Sequence, residues 1–269
     1  MSQRKTYIFG NWKLHKKFNE ISLFFKHFNY LIKKDKRINK NHNLIHGFAP
    51  SHLGILPAIN FAKGKTNILA QDVGCNNIGA FTGQVAFWQL NEFKINYAIV
   101  GHSETRKYLG NSDKNVNKTI KVLLNNNIIP VICIGESLKT YKSKQTNAFL
   151  AQQIKTIFKD ISLDQIQKCI IAYEPLWAIG SGKTPTLYEI QQIAHFIRQS
   201  FKSFDDKQSN ICENLHILYG GSANVKNASD LMSLNDIDGL LIGGASLDPA
   251  AFVSILKQSK AYKNFNGNK

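Results

Sequence analysis

Eight short runs of apolar and β-branched residues recur along the chain, and a longer stretch of helical period follows each. The runs are YIFGN (7–11), LIHGFAP (44–50), NILAQDV (67–73), YAIVGH (97–102), IPVICIGE (129–136), CIIAYEP (169–175), HILYGG (216–221) and GLLIGG (239–244). Most show almost no polar alternation, the pattern of a parallel strand covered on both faces. Between them, residues 16–33 place Phe18, Ile21, Phe25, Phe28 and Ile32 on one helical stripe. Residues 113–125 do the same with Val116, Ile120 and Leu123, opened by a cap at Ser112 or Asp113. Residues 186–203 align Leu187, Ile190, Ile193 and Ile197, with Thr186 and Glu189 spaced as a capping box. Pro249 stands where a last helix, 249–258, would begin. No Pro/Gly/Ser-rich linker divides the chain. Eight βα units in 269 residues predict one (β/α)8 barrel over residues 1–269, with a short Lys/Asn-rich tail from about 259. A doubly wound sheet is the alternative, but it usually has fewer strands.

Apolar residues make up 43% and charged residues 19%, the balance of a globular protein. No apolar run reaches the roughly 18 residues a membrane span requires, so no membrane role is expected. The start, MSQRKTYIFGNWK, lacks an apolar stretch followed by a small-residue cleavage site, so no secretory leader is expected. Cys75, Cys133, Cys169 and Cys212 lie far apart without a CxxC, which suits a reducing cytoplasm. The net charge of +16 raises nucleic acid as a partner. Against it, only Arg4, Arg37, Arg106 and Arg198 are arginines, and the lysines are scattered among asparagines. We read the charge as compositional drift and expect no nucleic-acid partner. A diffuse positive field would still attract a small anion.

In a (β/α)8 barrel the chemistry lies at the C-terminal strand ends. Here those ends read Gly10-Asn11-Trp12-Lys13, Gly101-His102-Ser103-Glu104, Ala172-Tyr173-Glu174-Pro175, Tyr219-Gly220-Gly221-Ser222 and Gly243-Gly244-Ala245-Ser246. Ionisable groups therefore gather at one end of an otherwise apolar set of strands. No Cys/His/carboxylate trio has metal spacing, so no metal is expected. The acid Glu174, followed by Pro175 and a glycine-containing segment, reads as a carboxylate beneath a lid. His102 precedes what looks like a helix start, whose positive end disfavours imidazolium. Two Gly-Gly pairs at consecutive strand ends would let backbone N–H groups converge on a phosphate.

In order and spacing, NWK, GHSE, AYEPLWAIGSGK, YGGS and IGGASL resemble the triosephosphate isomerase family over nearly the whole chain. The resemblance implies a glycolytic and gluconeogenic isomerase. Such an enzyme interconverts dihydroxyacetone phosphate and D-glyceraldehyde 3-phosphate through a cis-enediolate, with no cofactor. It implies Glu174 as general base and His102 as a neutral imidazole that shuttles protons between substrate oxygens. Lys13 would complement substrate charge, Asn11 would donate to the same oxygen region, and Glu104 would hold Lys13. Gly180, Ser222, Gly243 and Gly244 would grip the phosphate, and Ile179 and Leu241 would close over Glu174. Cys133 matches a family cysteine and reads as packing, because nothing near it in sequence supplies a base. A barrel that has lost its activity, or another phosphate-binding barrel, are the rival readings. Intact Asn11, Lys13, His102 and Glu174 weigh against the first, and the AYEPLWAIGSGK segment weighs against the second.

The resemblance also implies a homodimer through the loop Gly79-Ala80-Phe81-Thr82-Gly83-Gln84, with Thr82 supporting Asn11 and Glu104 of the other subunit. The chain departs from the family at Gln84, Thr105 and Asn111, which stand where Glu, Arg and Glu are usual. All three charges of one cluster are thus absent together. Such an exchange leaves no carboxylate unpaired, so the dimer is expected to persist on apolar burial and neutral hydrogen bonds.

Overall fold

Eight parallel strands close on themselves in sequence order. They are β1 (Thr6–Asn11), β2 (Leu44–Ala49), β3 (Asn67–Ala70), β4 (Tyr97–Val100), β5 (Ile129–Ile134), β6 (Ile170–Tyr173), β7 (His216–Tyr219) and β8 (Gly239–Ile242). The ring is sealed where Tyr7 pairs with Gly239 and Phe9 with Leu241. A Cβ on Gly239 would lie 1.8 Å from the Tyr7 carbonyl oxygen, so only glycine permits this closure. The structure is a computed structural model, and it describes residues 4–178, 185–204 and 210–265. It is the (β/α)8 barrel that the alternating pattern predicts.

The strands divide their side chains between two cores. Tyr7, Phe9, Ile99, Val131, Cys133, Ile170, Ala172, Leu218 and Leu241 fill the barrel interior. Their sequence neighbours, such as Ile8, Ile132, Ile171 and Leu240, belong to the cluster between barrel and helices. Alternation along a strand produces this division. Continuing the inward parity by two residues brings Asn11, Gly101, Glu174, Gly220 and Gly243 to the barrel mouth. The packing of the interior therefore aims the chemistry.

The helices follow the predicted stripes with small differences. Residues Phe18–Ile32 form the first, beginning two residues late because Lys16 is left-handed at φ 74°. Asp113–Asn125 is as expected, with Ser112 capping through its hydroxyl. Leu187–Ser200 carries the Thr186/Glu189 capping box but ends in a 3-10 turn, Phe201–Phe204. Pro249–Gln258 is as expected, with Asp248 as its cap. The region from about 259, expected as a tail, continues instead as a helical turn, Lys260–Lys263. Ala261 and Tyr262 are buried, and the Tyr262 hydroxyl donates to Asp35 at 2.8 Å. The apolar pair within the basic stretch decides that outcome. Among the described residues no helix is long and apolar enough to cross a membrane.

One buried strand residue makes the fold sensitive to acid. His46 on β2 is buried beside Phe28, and its Nδ1 meets the Thr66 hydroxyl at 2.8 Å. Burial pushes its pKa down to about 4, from an ordinary value near 6.5. Between those values the unfolded chain binds a proton that the folded chain does not. Stability is therefore expected to fall as the pH drops from about 6.5 to about 4, by about 3 kcal/mol from this group. Urea unfolding of the parent and of His46→Gln at several pH values checks this. The variant is expected to lose less stability over that window, and an unchanged slope would refute the assignment.

Candidate active site

Asn11, Lys13, His102, Glu174, Ser222, Gly243 and Gly244 line one cavity of about 280 Å3 at the barrel mouth. That is just below the roughly 300–1,000 Å3 of pockets for drug-sized ligands, which suits a small metabolite. Leu241, from the top of the interior core, lines the same cavity. Glu104 stands outside it but accepts from Lys13 Nζ at 2.6 Å. Gly180 and Ile179 lie outside the described residues.

Lys13 is set by its backbone. The residue is left-handed at φ 53°, which costs a non-glycine about 1–2 kcal/mol. Asn11 Oδ1 accepts its N–H at 3.0 Å, and Gln71 Nε2 donates to its carbonyl at 2.9 Å. Gln71 also donates to the Ala49 carbonyl at 2.8 Å, so it ties the loops after β1 and β2 together. Sequence reasoning did not single out Gln71. Its only sequence signal is a polar side chain closing the apolar run NILAQDV.

His102 follows the left-handed Gly101 and caps the helix Ser103–Leu109. Its Nδ1 accepts the Glu104 N–H at 3.2 Å, which leaves Nε2 as the ring's donor. Nε2 lies 3.1 Å from Glu174 Oε1. Burial pulls the His102 pKa down. The hydrogen bond and charge of Glu174, with the charge of Glu104, outweigh it, and the net position is above the ordinary value. The expected neutral ring is thus opposed in this arrangement by one carboxylate in particular, Glu174.

Glu174 is only 2% exposed. Besides His102 it meets the Ser103 N–H, which donates to Oε2 at 3.2 Å. A Cβ on Gly220 would come within 2.8 Å of Glu174 Cγ, so the glycine after β7 leaves this side chain its room. The segment that follows Glu174 is anchored from β5. Glu136 is buried and accepts from Trp177 Nε1 at 2.7 Å and from the Tyr173 hydroxyl at 3.2 Å. Tyr141 stacks on Trp177 with ring centroids 4.0 Å apart. Glu136 is the second residue that the sequence reading passed over, although it ends the run IPVICIGE.

The far wall of the cavity is backbone. Among the described residues, a Cβ at Gly244 would meet no atom within 4 Å, and one at Gly243 would touch Lys13 Cε at 3.7 Å. Packing against the described residues therefore does not demand glycine here. What glycine preserves is open space beside the backbone amides. Cys133 is buried in the barrel interior, and desolvation holds its thiol well above the ordinary range, in keeping with packing. Among the described residues no group of three His, Cys, Asp or Glu side chains could hold a metal ion.

The three residues expected to depart from the family do not gather into one side-chain cluster. Gln84 Oε1 accepts from Asn76 at 3.1 Å, the Thr105 hydroxyl donates to the His102 carbonyl at 2.9 Å, and the Asn111 N–H donates to the Thr105 carbonyl at 3.3 Å. Among the described residues none of these side chains bonds another of the three. A larger cavity, about 580 Å3, opens between Gln84 and Asn111, but Glu174, His102 and Lys13 are absent from its walls.

Comparison with known proteins agrees with the geometry. The family model described as triosephosphate isomerase matches residues 6–259. The chain is 40% identical over 262 residues to the triosephosphate isomerase of Mesomycoplasma hyorhinis, covering 95% of this chain and 99% of that one. It is 39% identical over 259 residues to that of Mycoplasmoides gallisepticum, covering 96% and 99%. It is 35% identical over 254 residues to that of Pediococcus pentosaceus, covering 94% and 98%. With a closed eight-stranded barrel and a match from the first strand to past the last, the chain belongs to the triosephosphate isomerase family.

Proposed function

We propose that this chain interconverts dihydroxyacetone phosphate and D-glyceraldehyde 3-phosphate, as a glycolytic isomerase, by moving one proton between adjacent carbons. The observation that carries the reading is the convergence of a buried carboxylate, an imidazole and an ammonium on one small cavity. Glu174 takes the proton from the carbon beside the carbonyl. His102 Nε2–H and the Lys13 ammonium, with the Asn11 amide beside it, stabilise the oxyanion of the cis-enediolate. Glu174 then returns the proton to the neighbouring carbon while His102 moves protons between the two oxygens. Glu104 positions Lys13 through the 2.6 Å ion pair.

The protonation states of the acid and the ring are linked. The anionic Glu174 does most to raise the His102 pKa, with a smaller part from the charge of Glu104. Once Glu174 holds the substrate proton that influence is gone, and burial together with the helix start favours a neutral ring. The ring is then an electrophile at the stage that needs one. The N–H groups near Ser222, Gly243 and Gly244, together with Gly180, would bind the phosphate dianion. The proton shift calls for no redox cofactor, because no electrons leave the substrate. Turnover of glyceraldehyde 3-phosphate by purified protein in EDTA, without nicotinamide, tests the reading.

The working form on this reading is a cytoplasmic homodimer. Leu14, Leu53, Ile78 and Leu109 are each more than 70% exposed, and they stand on the segments after β1, β2, β3 and β4. Four large aliphatic side chains along one side of the barrel mouth support burial against a second copy through the loop Gly79–Gln84. The spacing of Cys75, Cys133, Cys169 and Cys212, far apart and without a CxxC, supports a reducing compartment. Sedimentation at micromolar protein is expected to show a dimer, and a monomer would mean that the missing charges were needed. Thr105→Arg alone is expected to add little, because its partners are now amides.

A further inference from the structure

Lys16 carries an unfavourable backbone and an unusually well-built environment. Its φ of 74° lies in the left-handed region, where glycine is at home and lysine is not. The side chain turns back over the loop instead of reaching into solvent. Its Nζ donates to the Leu247 carbonyl at 2.9 Å and lies 4.7 Å from the centre of the Phe24 ring and 5.2 Å from that of Trp12. Burial lowers its pKa, and the charges of Glu20 and Asp248 oppose that shift.

The carbonyl it holds belongs to a particular turn. Gly244–Leu247 is a single 3-10 turn, and at its other end Gly243 and Gly244 face the cavity. Trp12 Nε1 donates to the preceding carbonyl, that of Ser246, at 3.1 Å. Two neighbouring carbonyls of the turn after β8 are thus held by two residues of the loop after β1. That loop also carries Lys13, whose Cε passes beside Gly243.

We propose that Lys16 is a positioning residue that clamps the loop after β1 to the turn after β8, fixing the phosphate-binding amides of Gly243 and Gly244 relative to Lys13. The inference rests on the functional reading above. The ammonium, held over two rings and on a carbonyl, fixes one end of the turn so that the other does not drift. A lysine tolerated at a left-handed position fits this role, because the clamp compensates what the backbone loses.

Lys16→Met removes the cation at similar length. Lys16→Gly removes it while relieving the backbone, and Lys16→Arg keeps it. The parent and variants are assayed for triose phosphate turnover, for inhibition by inorganic phosphate, for direct phosphate binding by calorimetry and for Tm. The Met and Gly variants are expected to raise KM and both phosphate constants about tenfold, with kcat within about threefold. The Arg variant is expected to stay within about threefold of the parent throughout. The Gly variant is expected to melt no lower than the Met variant, which separates grip from folding. Met and Gly variants with phosphate constants within twofold of the parent, or a loss seen only in Tm, would overturn the clamp. A parent that binds phosphate but turns over no triose phosphate would sink the functional reading alone, and the phosphate ratios would still judge the clamp. A parent that does neither would sink both.

Discussion

Glu174→Gln is expected to lower kcat by about 10³-fold, with KM changed less than tenfold. A positioned general base contributes about 10²–10⁴-fold, and the amide keeps the shape while losing the ability to accept a proton. Glu174→Asp is expected to cost about 10²-fold, because it withdraws the carboxylate by roughly an ångström. The Gln variant has a second readout. The carboxylate 3.1 Å from His102 Nε2 does most to lift the ring's pKa against burial, with Glu104 adding to it. Removing that charge is expected to move the His102 titration to lower pH, visible by NMR. A kcat within threefold of the parent would exclude Glu174 as the base, and an unmoved His102 titration would exclude the linkage.

Arg198→Met is expected to be the most destabilising of the substitutions considered, at about 3–5 kcal/mol. Arg198 is 4% exposed. It donates to Asp236 at 2.6 Å, to Asp238 at 2.9 Å, and to the carbonyls of Cys212 at 2.7 Å and Leu215 at 2.6 Å. Arg4 completes the cluster with a 2.6 Å bond to Asp238. Methionine would leave two buried carboxylates without this partner. The cluster also has a pH signature. Burial pushes the Asp236 carboxyl up, but the charge of Arg198 and hydrogen bonds from His195, Gln191 and Arg198 outweigh it, so its folded pKa lies below the ordinary 3.8. The folded chain therefore binds fewer protons there than the unfolded chain. The contribution is present above about pH 4 and is lost as the pH falls through the folded pKa. Because the cluster sits by the starts of β7 and β8, opposite the cavity, kcat of the folded variant is expected to stay within about twofold. A stability loss under 1 kcal/mol in urea unfolding would refute the account.

The barrel was legible because each strand buries both faces, which writes an unbroken apolar run. The ends of those runs were less legible. The run YAIVGH reads through to His102, yet β4 stops at Val100, because Gly101 turns left-handed and His102 becomes a helix cap. The same overrun at Glu174 and Gly243 shows that apolar continuity does not mark where strand pairing stops. Asn11, Lys13, His102 and Glu174 were readable from their motifs, and the inward alternation explains Asn11 and Glu174. Gln71 and Glu136 were not, since each acts through carbonyls or rings distant in sequence. The burial of Arg198 against Asp236 and Asp238 has no local sequence signal either, because these partners lie 38 and 40 residues away.

The most direct test of the central claim follows the proton itself. Dihydroxyacetone phosphate is incubated with the parent in D2O containing EDTA, and the carbon-bound hydrogens are followed by NMR. Glyceraldehyde 3-phosphate is expected to carry deuterium at C2 and the remaining substrate to exchange at C1, both about 10³-fold slower with Glu174→Gln. Product formed at the parent rate by the Gln variant, or no product from the parent, would contradict that claim.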